Sequence, residues 1–177
     1  MCKPKSKYTK IALDSIISFL EKGNTDDLEI KKVPEEMDIR RACFVTLHKI
    51  DGSLRGCMGT IEPVRENLHL EIIRNSVSSA FHDYRFESVT KNELNQIELS
   101  VSVLSKPEKI KSIEELDPEI YGIIVSDGGF RKGVLLPAIK TVDTVEKQID
   151  IAKSKGGLQN MNNKSLVIYK FTTKTYY

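Results

Sequence analysis

The hydrophobic positions in the first part of the chain recur at helical spacing. Ile11, Ile16 and Leu20 fall on one face of a helix, which predicts an amphipathic first helix. Gly23-Asn24 is expected to end it, because both residues tolerate the left-handed backbone found after helix ends. Residues 24–40 are charged and polar and include Pro34, so they are expected to form a surface connection.

Two further helices are predicted later in the chain. The second is expected to begin at Pro63, since proline suits the first turn of a helix. It carries a narrow stripe of small and apolar residues, which would let it lie close to a sheet: Leu68, Ile72, Ser76 and Ala80. The third is expected to be capped by Asp143 with Glu146 at its third position and to end at Gly156-Gly157.

Alternation with a period of two predicts the strands. It is clearest from Ile97 to Ser105, where apolar residues alternate with Glu98, Ser100 and Ser102. Hairpins are predicted for residues 43–61 and 122–136, and a final strand for residues 165–173. About six strands, mostly joined as hairpins and flanked by three main helices, indicate an α+β fold with mostly antiparallel sheet.

Composition and charge narrow the class of protein. The chain has 177 residues, of which 40% are hydrophobic and 29% charged, so a single globular domain over residues 1–177 is expected. A net charge of +2 gives no electrostatic reason to expect nucleic acid. No apolar run approaches the length of a membrane span, and the beginning of the chain does not resemble a signal peptide.

The cysteines and histidines suggest neither a disulfide framework nor a metal site. Cys2, Cys43 and Cys57 are odd in number and widely spaced, so a reduced, cytoplasmic protein is expected. His48, His69 and His82 lack metal-ligand spacing among themselves or with cysteine or aspartate. Dinucleotide and phosphate-loop fingerprints are missing too, and no cofactor is predicted.

The first hairpin can be given a register. If Asp51-Gly52 forms a two-residue type I′ turn, His48 lies opposite Arg55, and Thr46 lies opposite Cys57. Arg55 and Cys57 then share one face of the strand with His48 as a diagonal neighbour. A nearby positive charge favours the thiolate form of a cysteine, so this face could hold an anion or present an activated sulfur.

The segment Leu54-Arg55-Gly56-Cys57-Met58-Gly59-Thr60 is unusual for an ordinary strand. Gly56 and Gly59 indicate close approach by a ligand or by another backbone. Cys57 has two open interpretations, since a cysteine is as readily a small buried hydrophobe as a nucleophile. The segment is therefore a candidate site in which Arg55 and the two glycines carry more weight than the sulfur.

A second candidate group follows the second helix. Asp83 precedes Arg85 and Phe86, and the pair could brace the loop or present Arg85 to an anion. If a helix covers the polar face of the strand at residues 97–105, Glu98 needs a partner, and Arg55 or Arg85 would supply it.

The segment from Leu54 to Thr60 resembles the signature of the AMMECR-domain family, which occurs in bacteria and archaea as the A component of AmmeMemoRadiSam systems. The resemblance extends in blocks to about Leu158. The family usually has isoleucine in place of Met58, an aromatic residue in place of Ile61 and proline in place of Tyr84. The family's Arg-Gly-Leu-Leu-Pro region is matched by Arg131, Gly133 and residues 135–137, and its Lys-Ala-Gly-Leu run by residues 155–158.

The resemblance implies a larger α+β portion with a smaller subdomain packed on it and a groove between them. It also implies Memo-type and radical-SAM-type partners, which would supply any metal or radical chemistry.

Two functional hypotheses follow. In the first, the chain is a binding module for a small anionic ligand or a partner's tail. Its predicted contact residues are Arg55, Gly56, Gly59, Thr60, Asp83, Arg85 and Phe86. In the second, Cys57 is a nucleophile or carrier activated by Arg55 and His48, although no third group orients the histidine. A nucleic-acid-binding module is a distant third.

Overall fold

The computed structural model describes residues 4–30 and 32–177. The chain folds into two compact units, one containing residues up to 103 together with 174–177, the other residues 104–173. The helices and strands, in chain order, are α1 Lys7–Lys22, α2 Asp26–Glu29, β1 Cys43–Lys49, β2 Leu54–Gly59, α3 Leu68–Phe81, β3 Ile97–Leu104, β4 Glu108–Lys109, β5 Gly122–Ser126, β6 Lys132–Leu135, α4 Val145–Lys155, β7 Val167–Phe171 and β8 Thr173–Tyr176. The predicted α+β class with antiparallel sheet is confirmed.

The first unit has a four-stranded sheet in the order β2-β1-β3-β8. Its hydrophobic core joins α1 and α3 to the sheet, with Ile16, Val45, Leu47, Ile72 and Val101 at 1% exposure or less. Ser6 caps α1 by accepting the backbone N–H of Thr9. Gly23 ends the helix with φ 74°, as the sequence predicts. This arrangement fixes the edge of the sheet that carries the candidate site.

The second unit has its own sheet, in the order β4-β7-β5-β6, and its own core. Helix α4 contributes Ile149 and Ala152 to that core, together with Ile123 and Leu135 from the sheet. Each unit therefore buries a separate set of apolar side chains.

The turn of the first hairpin differs from the prediction. Lys49 N–H donates to the carbonyl of Ser53 at 2.8 Å, and Gly52 has φ 82°, so the loop has three residues rather than two. A β-bulge then follows, because His48 lies opposite Leu54 while Leu47 lies opposite Gly56. The predicted pairing of His48 with Arg55 is wrong, whereas that of Thr46 with Cys57 is confirmed.

Several boundaries were also predicted wrongly. Residues 24–40 contain α2 and bury Leu28 and Met37, so they are more than a surface connection. Helix α3 begins at Leu68, after Asn67 rather than Pro63, because the Asn67 side chain accepts the N–H of Leu70 at 3.1 Å.

Two further differences lie near the end of the chain. Thr144 caps α4 instead of Asp143, accepting the N–H of Lys147 at 3.2 Å. The predicted last strand is two strands, since β7 and β8 belong to different sheets.

Candidate functional site

Cys57 lies on β2, the edge strand of the first sheet. Its Sγ is 3.2 Å from the Oγ1 of Thr46 on the neighbouring strand, and the residue is half-buried. Its backbone N–H donates to Oδ2 of Asp83 at 2.9 Å. Cys57 is therefore held through its side chain by strand β1 and through its backbone by Asp83, which follows α3.

Asp83 and Arg85 form a clamp around the backbone of Cys57. The guanidinium of Arg85 donates to Asp83 through Nε at 2.9 Å and through Nη2 at 2.7 Å. The same Nη2 donates to the carbonyl oxygen of Cys57 at 3.2 Å. The Asp83 side chain is 1% exposed and that of Arg85 is 42% exposed, so the pair braces the strand while leaving part of the arginine open to solvent.

Arg55 is held by a carboxylate that sequence reasoning missed. Its Nε and Nη2 donate to the two oxygens of Glu93, at 2.8 and 3.3 Å. The Arg55 side chain is 8% exposed, and its Nη1 is buried with no hydrogen-bond partner among the described residues. Glu93 also accepts the N–H of Thr90 at 2.8 Å. The spacing of Thr90 and Glu93 is that of a helix capping box, which is the signal that could have identified Glu93.

Both carboxylates stay ionised in the folded protein. The Arg85 guanidinium holds the pKa of Asp83 down at about 2, with help from the N–H of Cys57. Arg55, followed by Thr90, lowers the pKa of Glu93 to about 2 as well. Asp83 in turn raises the pKa of Arg85. At neutral pH the site therefore contains two paired positive and two paired negative charges.

The Phe86 ring connects the two arginines. Its centroid is 5.4 Å from Cζ of Arg85 and 6.0 Å from Cζ of Arg55, within cation–π distance of both. We call Arg55, Asp83, Arg85, Phe86 and Glu93 the arginine–phenylalanine cluster. Tyr84, next to it in the chain, is 92% exposed.

The two glycines of the segment do not leave open space. A Cβ atom on Gly56 would collide with the backbone carbonyl of Ser79 in α3, and one on Gly59 would collide with Phe44. The expected close approach by another backbone is confirmed, because the carbonyl of Ser79 lies beside Gly56 and that of Cys43 lies beside Gly59. Contact between either glycine and a ligand stays a prediction.

Thr60 takes part in a different network from the cluster. Its hydroxyl donates to Oε1 of Glu71, a fully buried residue of α3. The other carboxylate oxygen of Glu71 accepts the backbone N–H groups of Val64 and Arg65, at 3.0 and 2.8 Å. Thr60 therefore helps to anchor the loop that leads into α3.

Glu71 begins a buried polar stripe on α3 that sequence reasoning also missed. Asn75 donates to the carbonyl of Cys43 at 3.0 Å. Ser79 donates to the carbonyl of Val45 at 2.7 Å and accepts the N–H of Met58 at 2.8 Å. The four-residue spacing of Glu71, Asn75 and Ser79 could have revealed this stripe, since residues four apart share a helix face.

The family model described as AMMECR1 matches residues 9–176. The chain belongs to the AMMECR1 family. A Thermotoga maritima protein is 46% identical over 170 residues, covering 96% of both chains. Protein CA_C1420 of Clostridium acetobutylicum is 45% identical over 157 residues, so the match covers 88% of this chain but 33% of that longer protein.

The AMMECR1 fold has also been seen experimentally. The crystal structure of the uncharacterized protein PH0010 from Pyrococcus horikoshii is similar, with a TM-score of 0.86, 26% sequence identity and coverage of 98% of this chain and 92% of that one. The printed names of these relatives state no activity.

His48 and Glu98 of this AMMECR1 chain take no part in the two arginine ion pairs. His48 lies opposite Leu54 on one side and Glu98 on the other, and Glu98 is exposed. The carboxylate partners of Arg55 and Arg85 are Glu93 and Asp83, not Glu98. Within the part of the chain that the structure describes, no group of three potential metal ligands comes together.

None of the helices in residues 4–30 and 32–177 is both long enough and apolar enough to cross a membrane.

Proposed function

We propose that this AMMECR1 chain is a binding component that recognises an anionic group on a ligand or partner through the arginine–phenylalanine cluster. The observation that carries this proposal is the state of Arg85. Asp83 and the Cys57 carbonyl engage its Nε and Nη2, while 42% of its side chain remains exposed.

A guanidinium fixed in this way is well suited to binding. Association is costly when long side chains must be ordered, and here hydrogen bonds within the protein have already ordered Arg85. Exposed Tyr84 beside it adds an aromatic surface, and tyrosine and arginine are the residue types that contribute most to binding at interfaces. The site therefore offers a preorganised donor next to an apolar contact.

We further propose that the chain works in the cytoplasm in an AmmeMemoRadiSam-type system, with Memo-type and radical-SAM-type proteins as partners. The resemblance of its motifs supports this context.

Binding to a purified Memo-type protein tests the proposal. Biolayer interferometry should show association with the wild-type chain and a Kd raised roughly tenfold in Arg85→Gln, as expected for losing one charge-assisted hydrogen bond. Arg131→Gln is the matched control, because Arg131 is also an exposed arginine paired with an aspartate but belongs to the other unit. Equal loss in both variants, or none in Arg85→Gln, would contradict the assignment.

A thiol-dependent reaction at Cys57 is the second candidate. The observation that favours it is the closeness of the sulfur-bearing residue to a cation, because the Arg85 guanidinium donates to the Cys57 carbonyl at 3.2 Å. The test is the pH dependence of Cys57 alkylation. A rate that reaches its plateau at a pH well below that of an ordinary thiol would support a thiol-dependent reaction, whereas the pH profile of an ordinary thiol would contradict it.

A further inference from the structure

Arg55 and Arg85 present their guanidinium groups in the same way. Each uses Nε and Nη2 to bind a single carboxylate side-on, Glu93 in one case and Asp83 in the other. The planar fork of an arginine has five N–H donors, so in this geometry the two N–H bonds of Nη1 point away from the carboxylate. In both arginines, therefore, the carboxylate leaves the same pair of donors unused.

The Nη1 atom of Arg55 needs an acceptor. It is buried in a residue with 6% exposure and has no partner among the described residues. Leaving a buried donor unsatisfied is unfavourable, and such a group in a folded protein calls for an explanation. A ligand oxygen would satisfy it.

The charges of the cluster favour a carboxylate oxygen over a phosphate oxygen as the acceptor. Asp83 and Glu93 are both ionised at neutral pH, since the pKa of each is about 2, and they cancel the charges of the two arginines. Exposed Glu87, next to Phe86, adds a negative charge. A phosphate group, with a charge of about −1.5 to −2 near neutrality, would lose its hydration without a compensating net attraction. A carboxylate has a smaller charge and two oxygens that match arginine donors.

We propose that the arginine–phenylalanine cluster is a subsite for a monocarboxylate, whose oxygens accept from Nη1 of Arg85 and from the buried, unpartnered Nη1 of Arg55. The apolar part of the ligand packs against Phe86 and Tyr84. This inference rests on the proposed binding function and restricts it to carboxylates, from either a small organic acid or a peptide C-terminus.

Cys57 provides a reporter for this subsite. Its thiolate displaces iodide from iodoacetate or iodoacetamide, forming an S–C bond as the C–I bond breaks, and the thiol proton passes to the buffer. An ordinary thiolate reacts more slowly with iodoacetate because the charges repel. A carboxylate subsite beside Cys57 should reverse this order, so the rate ratio of iodoacetate to iodoacetamide should exceed that of glutathione roughly tenfold.

The measurement uses the full chain with Cys2→Ser, and peptide mass spectrometry separates Cys57 from the buried Cys43. Arg85→Gln should return the ratio to that of glutathione, whereas Arg131→Gln should leave it high. Because Arg85→Gln leaves the buried Asp83 with a weaker partner, circular dichroism is needed to show that the variant is folded.

A competition experiment on the protein with both native arginines tests the proposal without relying on the Arg85→Gln variant. In it, an added anion competes with iodoacetate for the subsite. Benzoate should slow the iodoacetate reaction with saturation, and inorganic phosphate should not. A short peptide with a free C-terminal carboxylate, compared with its amide, separates a peptide terminus from a small acid as the source of the group.

Each outcome decides between the two proposals. Protection by phosphate equal to that by benzoate would overturn the restriction to carboxylates and leave anion binding in place. No protection by any anion, with a ratio equal to that of glutathione, would overturn both the subsite and anion recognition at the cluster.

Discussion

Arg55 and Glu93 form a two-point ion pair, Nε to Oε1 at 2.8 Å and Nη2 to Oε2 at 3.3 Å, across 38 positions of the chain. The pair attaches the bulged strand β2 to the 3₁₀ turn Lys91–Asn95. Phe86 covers the same guanidinium. The position of Arg55 in the cluster therefore depends on a carboxylate that lies outside the recognised motif.

Removing the charge of Glu93 should destabilise the protein. Glu93→Gln leaves the Arg55 side chain, 8% exposed, without its counter-charge, and we expect the free energy of unfolding to fall by about 2–3 kcal/mol. Urea denaturation followed by circular dichroism measures this. Glu87→Gln, a nearby exposed change of the same charge, should have little effect, and an equal loss in both variants would rule out a specific role for the pair.

Acid should weaken the fold over a defined range of pH. The pKa values of Asp83 and Glu93 are lowered from 3.8 and 4.5 to about 2 in the folded protein. The unfolded chain therefore binds more protons between about pH 5 and pH 2, so stability falls as pH falls through that window. Half-buried Glu115, whose pKa is also about 2, acts in the same direction.

Denaturation at a series of pH values measures this loss. Glu93→Gln should show a shallower decline than the wild type. Parallel curves for the two proteins would mean that Glu93 does not contribute to the acid sensitivity.

Adding one methyl group at Gly56 should disturb the contact between strand and helix. The Cβ of Gly56→Ala would meet the backbone carbonyl of Ser79, which cannot turn aside as a side chain does. We expect a loss of about 1–3 kcal/mol, typical of overpacking, in urea denaturation. Gly129→Ala in an exposed turn is the control, since its nearest contact is the Asp127 side chain at 3.3 Å. A stable Gly56→Ala protein would show that β2 and α3 can separate.

Truncating Glu71 should cost more than a typical buried hydrogen bond. Glu71→Ala removes the acceptor of the Thr60 hydroxyl and of two backbone N–H groups, so we expect a loss of about 3–5 kcal/mol. Glu71→Gln should fall between this variant and the wild type, because one acceptor oxygen remains. Glu66→Ala, on the exposed side of the same loop, should change little. Thermal unfolding compares the four proteins.

The two described cysteines should differ in reactivity. Cys43 is fully buried, and burial raises the pKa of its thiol to about 12, so iodoacetamide should not modify it in the folded protein. Half-buried Cys57 should react first. Peptide mass spectrometry in a Cys2→Ser background separates the two sites, and adding urea should expose Cys43 only as the protein unfolds. Modification of both at one rate in buffer would contradict the burial of Cys43.

The first hairpin shows how far local pattern determines structure. The hydrophobic pattern and the Asp51-Gly52 turn signal predict the pairing of Thr46 with Cys57 correctly, although the predicted turn is one residue too short and the pattern does not indicate the bulge. The longer turn shifts the pairing by one residue and the bulge at Arg55 shifts it back, so the predicted register is correct from Gly56 onwards. Turn preference is a local property, whereas a bulge re-aims a side chain towards a partner, and here that partner is Glu93.

The helical and strand periods of the hydrophobic residues are enough to predict the fold class. They do not predict every hydrogen-bond and ion-pair partner of the polar side chains. Asp83 and Arg85 are close in sequence, so their pairing was foreseen as one of two roles. Arg55 with Glu93 and Thr60 with Glu71 are brought together by tertiary packing, which periodicity does not encode. Catalysis by Cys57 and ligand contacts of the predicted site residues stay predictions.

Residues 104–173 extend in the chain from the end of β3 to the start of β8, two neighbouring strands of the first sheet. Strands β3 and β8 are neighbours in that sheet, Tyr8 stacks on Tyr176 at 3.7 Å, and Ser105 is hydrogen-bonded to Thr172. The later unit thus has the chain connectivity of an insertion whose two ends meet. Excising it and joining the ends by a short turn should leave a free-standing domain that retains the arginine–phenylalanine cluster, while a simple truncation after Val103 would also remove an edge strand.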